Sequence, residues 1–134
     1  MRKKPLLTVG KRKTSIARAV IKPGKGIVRI NKLLLDVWGT KFAREKVKEP
    51  LYLAGDLAKK VDIEVNVKGG GFMSQAEAVR NAIAKALVEF SRSKTLRKTF
   101  LEYDRHLLVA DVRRTEPHKP CRSSARRGKQ TSKR

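Results

Sequence analysis

The final 22 residues, Arg113 to Arg134, hold nine Lys or Arg, one acid (Glu116) and no apolar residue larger than Ala125 or Cys121. Such a stretch has nothing to bury against the entropy lost on ordering it, so it cannot build a core of its own. What it can do is lay positive charge along a polyanion, and nucleic acid is the leading partner for that. Residues 1–35 repeat the theme with eleven basic residues and no acid. Residues 36–112 carry fourteen bases against eleven acids, so the net charge of +22 sits at the two ends of a nearly balanced middle. An excess of that size opposes compaction by self-repulsion, and a bound polyanion stabilises the folded state.

A chain of 134 residues suffices for one core, and the charge pattern places that core in the middle. The domain expectation is a globular RNA-binding unit over 1–112 with a basic amino-terminal arm, followed by an extended basic tail over 113–134. Cys121 is the only cysteine, which excludes an intrachain disulfide and suits a reducing compartment. His118 and Cys121 have ligand-like spacing, but two ligands do not complete a structural zinc site. No cofactor is expected. No apolar run reaches the roughly 20 residues of a membrane span, and no signal-like apolar segment opens the chain, so the expected location is the cytoplasm.

Thr14 to Lys22, then Pro23-Gly24-Lys25-Gly26, then Ile27 to Ile30 predict a hairpin. Arg18, Lys22, Lys25 and Arg29 are expected outside and at its turn, with Val20, Val28 and Ile30 on the other face. Leu33 to Trp38 is expected as a short edge strand. Lys41 to Lys48 reads as a helix that stops before Pro50, and Leu51 to Lys60 as a second short helical stretch. Val61 to Lys68 alternates four β-branched with four polar residues and predicts a half-buried strand. Gly69-Gly70-Gly71 follows, and then a helix whose apolar positions Phe72, Ala76, Val79, Ile83, Ala86, Leu87 and Phe90 step by three and four. Ser74 and Glu77 are expected to cap its start. Helical spacing continues from Ser93 to Tyr103, and Leu107-Leu108-Val109 is expected to pass under the sheet.

The strand, glycine and helix-start arrangement has the form of a phosphate site, since helix amino-terminal amides attract phosphate. Its spacing is neither the dinucleotide fingerprint nor the Walker pattern, and Gly10 to Thr14 fails the latter too. Gly69, Gly70 and Gly71 are therefore either a contact for an RNA backbone or a tight turn. Catalysis lacks material: the carboxylates do not cluster, and His106 lies beside Arg105 near a helix end. Neither basic arm contains an aromatic residue, which favours phosphate and shape contacts over base stacking.

Several blocks in order, Gly10 to Ala19, Glu49-Pro50-Leu51, Gly69 to Gly71, Gln75 to Arg80, Ala84 to Leu87, Asp111 to Glu116 and the Ser-Lys-Arg ending, resemble the small-subunit ribosomal protein number nine family. The Arg113-Arg114-Thr115-Glu116-Pro117 block resembles its archaeal members. The resemblance implies an α+β two-layer fold: a four-stranded, mostly antiparallel sheet with helices on one face, like the second domain of ribosomal protein five. It implies a structural, non-enzymatic constituent of the ribosome, placed in the head of the small subunit against ribosomal RNA and neighbouring head proteins. Its tail would reach peptidyl-site transfer RNA. Carried onto this chain, Lys11, Arg12, Lys13 and Arg18 match the amino-terminal RNA-contact motif and Gly69 to Gly71 the glycine turn. Arg113, Arg114, Arg122, Arg126 and Arg127 would line RNA along the tail, with Lys133 and Arg134 at the transfer RNA. Relatives carry aromatics near Lys129, Thr131 or Lys133; here charge and hydrogen bonds remain. An RNA-processing subunit resembling the ribonuclease P protein is the alternative, as is a packaging protein of another class; the first needs metal-positioning groups that the sequence lacks.

Overall fold

The computed structural model describes residues 4–129 together with Thr131 and Ser132. Its elements run β1 (Leu6–Arg12), β2 (Ser15–Pro23), β3 (Val28–Ile30), β4 (Leu33–Leu34), α1 (Lys41–Ala54), a 3-10 stretch (Gly55–Lys60), β5 (Val61–Lys68), α2 (Phe72–Ser91), α3 (Lys94–Tyr103) and a 3-10 turn (Arg105–Leu107). The strands form one sheet in the order β1-β2-β5-β3-β4. Every neighbouring pair is antiparallel except β3 with β5. The fold is thus the expected α+β arrangement, mostly antiparallel with its helices on one side, but the sheet has five strands rather than four.

The additional strand is β1, which lies inside the segment read as a basic arm. Its burial alternates, with Thr8 and Gly10 turned inward. It pairs with β2 around Lys13 and Thr14, and Lys13 takes a positive φ of 52° there. The predicted hairpin between β2 and β3 does not form, because β5 lies between them and pairs with both. The Pro-Gly connection is instead tied to β5: the N–H of Gly24 donates to the carbonyl of Lys60, and Asp62 accepts from the amides of Lys25 and Ile27. On β2 the buried residues are Ser15, Ala17, Ala19 and Ile21. Val20 shares the parity of Arg18 and Lys22 and faces outward with them, not toward the core.

Strand β5 alternates as predicted, with Val61, Ile63, Val65 and Val67 buried. They meet the inner face of α2, where Ala76, Val79, Ile83, Ala86 and Leu87 are buried; Phe72, at the first turn, is instead exposed. The alanines of α2 let β1 come very close: a Cβ on Gly10 would lie 2.2 Å from the carbonyl oxygen of Ala78 and 2.6 Å from the nitrogen of Ala82. Beside it Thr8 Oγ1 donates to the carbonyl of Ala82 at 2.9 Å.

Helix α1 does not stop before Pro50 but carries it inside. Ala43, Val47 and Pro50 step by four and three along its buried face, so burial of the ring offsets the lost amide hydrogen bond. Past Ala54, Gly55 turns the chain at a φ of 57° into the 3-10 stretch, so the second helical segment divides between two elements. Helix α2 starts after the glycines as expected, but Gly71 is its cap and no side chain caps it. The Ser74–Glu77 box does not form; Glu77 is held elsewhere. The helix ends at Arg92 in the left-handed conformation, and Ser93 then caps α3 by accepting from Leu96, so the helical run breaks there. Leu33–Leu34 is all that remains of the predicted edge strand, with Leu35 and Trp38 buried beyond it. Leu107 is buried against α2, not the sheet, where Asn81 donates to the carbonyls of His106 and Leu107.

Gly10 is therefore demanded by packing, whatever else its neighbours do. Replacing it with alanine is expected to lower stability by about 1–3 kcal/mol, as overpacking does in a close-packed core, measured by urea unfolding of the protein free of nucleic acid. An unchanged midpoint and slope would show that β1 and α2 can move apart without cost.

Candidate nucleic-acid interface

Three turns and chain segments distant in sequence meet at one end of the sheet. Ser15 Oγ donates to the carbonyl of Gly69 at 2.8 Å, tying the β1–β2 turn to the glycine turn. Gln75 Nε2 reaches the same carbonyl from α2. Gly69 and Gly70 have φ values of 80° and 65°, and a Cβ on either would meet Thr14 O at 2.6 Å or Ser15 Oγ at 2.1 Å. The tight-turn reading of these two glycines is thereby supported on both conformation and space. Gly71 differs, with nothing within 4 Å of a Cβ there.

The basic candidates divide by orientation. Lys11 is exposed on β1 opposite Ile16, and Arg18 is exposed on β2 between Val9 and Asn66. Thr14, Ile16, Arg18, Asn66, Lys68 and Gly69 line a depression of about 260 Å³ on the sheet face away from the helices. Lys68 belongs there although sequence reasoning did not single it out; its outward parity on β5 was the available signal. Lys13 is exposed at the turn, and its carbonyl accepts from Arg114 NH1. Among the described amino-terminal bases Arg12 alone turns inward: Nε donates to Glu77 at 2.5 Å and NH1 lies 3.0 Å from Asp111, leaving its side chain 12% exposed. It is occupied by carboxylates, where the resemblance implied RNA contact.

Asp111 also binds Arg113, whose backbone N–H and guanidinium both donate to it. Those hydrogen bonds from Arg113 hold the Asp111 carboxyl far below the ordinary carboxylate range. The main chain of Asp111 forms an isolated parallel bridge with Arg12. Arg113 and Arg114 are thus brought beside the β1–β2 turn. Beyond Asp111, residues 112–129 form neither helix nor strand. Arg122 is half-buried, Arg126 pairs with Glu116 at 2.7 Å, and Arg127 donates to Ser123. Lys133 and Arg134 lie outside the described residues.

A second buried arginine holds the helices together. Arg80 on α2 contacts Glu49 of α1 at 2.5 Å and Asp104 after α3 at 2.9 Å, with its own side chain 8% exposed. Burial pushes the Asp104 carboxyl upward, but the His106 amide and Arg80 outweigh it and the net shift is downward. Among the described residues no group of three or more His, Cys, Asp or Glu could hold a metal ion, and no helix is long and apolar enough to cross a membrane.

The family described as Ribosomal protein S9/S16 matches residues 10–134. The chain belongs to the ribosomal protein S9/S16 family. A small ribosomal subunit protein uS9 from Desulfurococcus amylolyticus is 59% identical over 129 residues, covering 96% of this chain and 92% of the relative. Proteins of the same name from Pyrobaculum aerophilum and Methanococcus maripaludis are 54% identical over 125 residues and 52% over 117. These cover 93% and 87% of this chain, and 88% and 87% of the relatives. All three relatives are archaeal, as the Arg113 to Pro117 block indicated. Within this S9/S16 chain the family blocks serve two ends: Arg12, Pro50 and Arg80 are turned inward, with Glu77 and Glu49 meeting the two arginines, while Lys11, Lys13 and Arg18 remain exposed.

The carboxylates give a pH dependence of definite sign. Amides of Ile27 and Lys25 hold Asp62 below its ordinary value, and Asp104 and Asp111 are likewise lowered. A group lowered on folding contributes stability above its unfolded pKa, and that contribution is lost as pH falls through the folded one. Urea midpoints should therefore hold level from pH 7 to about 5 and drop below about 4, with a shallower drop in Asp62→Asn. A midpoint that rises on acidification would contradict these assignments.

Proposed function

We propose that this ribosomal protein is a structural constituent of the small ribosomal subunit that fixes ribosomal RNA of the subunit head between its sheet end and its basic tail. The carrying observation is the convergence of Lys11, Lys13, Arg18, Lys68, Arg113 and Arg114 around the joined β1–β2 and glycine turns, where Glu77 is engaged by Arg12 and Asp111 by Arg12 and Arg113. Exposed bases can neutralise phosphates and release counterions. With aromatic content at 5%, base stacking contributes little, and recognition runs through shape and backbone. The names of the relatives support the subunit assignment, and the ribosome of the cytoplasm is the corresponding location. Neighbouring head proteins are the further partners of that setting.

The tail over 113–134 extends this role. Its bases lie along ribosomal RNA, with Lys133 and Arg134 contacting peptidyl-site transfer RNA phosphates without reading sequence. Arginine suits bidentate phosphate contact better than lysine, which makes Arg134 the more consequential of the two. No enzymatic role is proposed; cleavage of precursor transfer RNA by the purified protein would favour the ribonuclease P-like alternative.

Removing Lys133 and Arg134 is expected to leave assembly intact but weaken transfer RNA retention by about 1–3 kcal/mol, the worth of charged hydrogen bonds, measured on reconstituted small subunits. Unchanged retention would remove the tip from that role. Deleting 113–134 should impair incorporation into the subunit, and normal incorporation would refute the anchor. Arg18→Gln should weaken binding to small-subunit RNA and reduce the slope of log affinity against log salt by about one phosphate equivalent; an unaltered slope would place Arg18 off the RNA.

A further inference from the structure

The junction between the folded body and the tail is held by more contacts than a simple exit requires. Arg12 is gripped from two sides, by Glu77 of α2 and by Asp111, which is 99 positions away in sequence. The Asp111 side chain is 10% exposed, and Arg113 spends its backbone N–H, Nε and NH2 on it, closing a small ring that fixes the main chain over 111–113. One residue on, Arg114 NH1 crosses to the carbonyl of Lys13. Arg113 is nevertheless 76% exposed, so its outer surface stays open while its donors face Asp111.

We propose that Arg12, Glu77, Asp111 and Arg113 form a positioning clasp that fixes the root of the basic tail beside the β1–β2 turn, so that the turn and the tail approach one RNA as a single preorganised surface. The proposal deepens the anchor role given above and rests on it for its consequence in binding. Ordering charged segments before contact removes part of the entropy that binding otherwise costs. Arg12 then acts through the tail it positions, while Lys11, Lys13 and Arg18 make the phosphate contacts.

The charge arithmetic makes the clasp separable from simple attraction. Asp111→Asn raises the net charge one unit above +22, so attraction alone predicts tighter RNA binding. Loss of preorganisation predicts the reverse. The test uses the full chain and a transcript of the head region of small-subunit RNA, with an unrelated RNA of equal length as reference. Asp111→Asn is expected to bind the transcript about 3- to 10-fold more weakly despite its added charge. Backbone ¹⁵N order parameters at 112–114 in the free protein should fall from about 0.85 to below about 0.6, with amides of α2 and β5 unchanged. Retained order at 112–114, or tighter binding, would overturn the clasp.

Should Asp111→Asn lose the core amides as well, Arg113→Gln decides, since it leaves Arg12 between its two acids. Loosening confined to 113–114 supports the clasp, and undiminished order there refutes it. If the wild-type protein shows no preference for the small-subunit transcript, the anchor reading fails while the order parameters still decide the clasp.

Discussion

Among the described residues Arg12 and Arg80 are the two arginines that the fold cannot leave charged and alone. A buried guanidinium without a partner is strongly unfavourable, so each must be met by carboxylates in the right place. The chain has 12 acids against 34 bases, and four of those acids, Glu49, Glu77, Asp104 and Asp111, go to these two side chains. Arg80 joins α1, α2 and the end of α3; Arg12 joins β1, α2 and the beginning of the tail. These two clusters thereby place attraction at the seams between elements. Repulsion is left to the periphery, where a polyanion relieves it.

The same division explains how family motifs can be read two ways. The run from Gly10 to Arg18 has the composition of an RNA-binding arm, yet it alternates in the structure between packing and exposure. Gly10 and Ser15 serve close approach, Arg12 serves the buried ion cluster, and Lys11, Lys13 and Arg18 face outward. Glu49-Pro50 does likewise inside α1, one residue meeting Arg80 and the next buried. Charge in sequence is thus a poor guide to which base is available for phosphate, because strand parity and the position of a distant acid decide it.

Legibility followed the range of the interactions involved. Strand β5 and helix α2 were readable because their periodicities are local and strong, whereas the two-layer architecture came from the family resemblance. Strand β1 was not, since its outward positions mix Leu7, Val9 and Lys11 and its turn, Lys13-Thr14, lacks the Gly, Asn or Asp that usually marks one. The Pro-Gly segment gave a true turn signal but not its partner, because β5 arrives from far along the chain to separate β2 from β3. Pro50 misled because its cost to the helix is local whereas its burial is tertiary. At the interface, the basic character of both ends and the special status of the glycines were legible. The clasp was not, because Arg12 meets Glu77 and Asp111 only once α2 and the tail root have been placed.

The sheet order carries a kinetic consequence. β5 pairs with both β2 and β3, and its contacts with β2 join residues as far apart as Ile16 and Lys68. Two small hairpins, β1–β2 and β3–β4, can close early with short loops, but they are joined only by the strand between them, and β1–β2 is covered only once α2 follows it. As synthesis proceeds from the amino terminus, a strongly cationic nascent segment must wait through α1 for the strand that completes its sheet. Late insertion of a central strand makes folding depend on long loop closure rather than on local propensity, so the basic amino-terminal hairpin emerges as a charged polymer well before it becomes part of a folded surface.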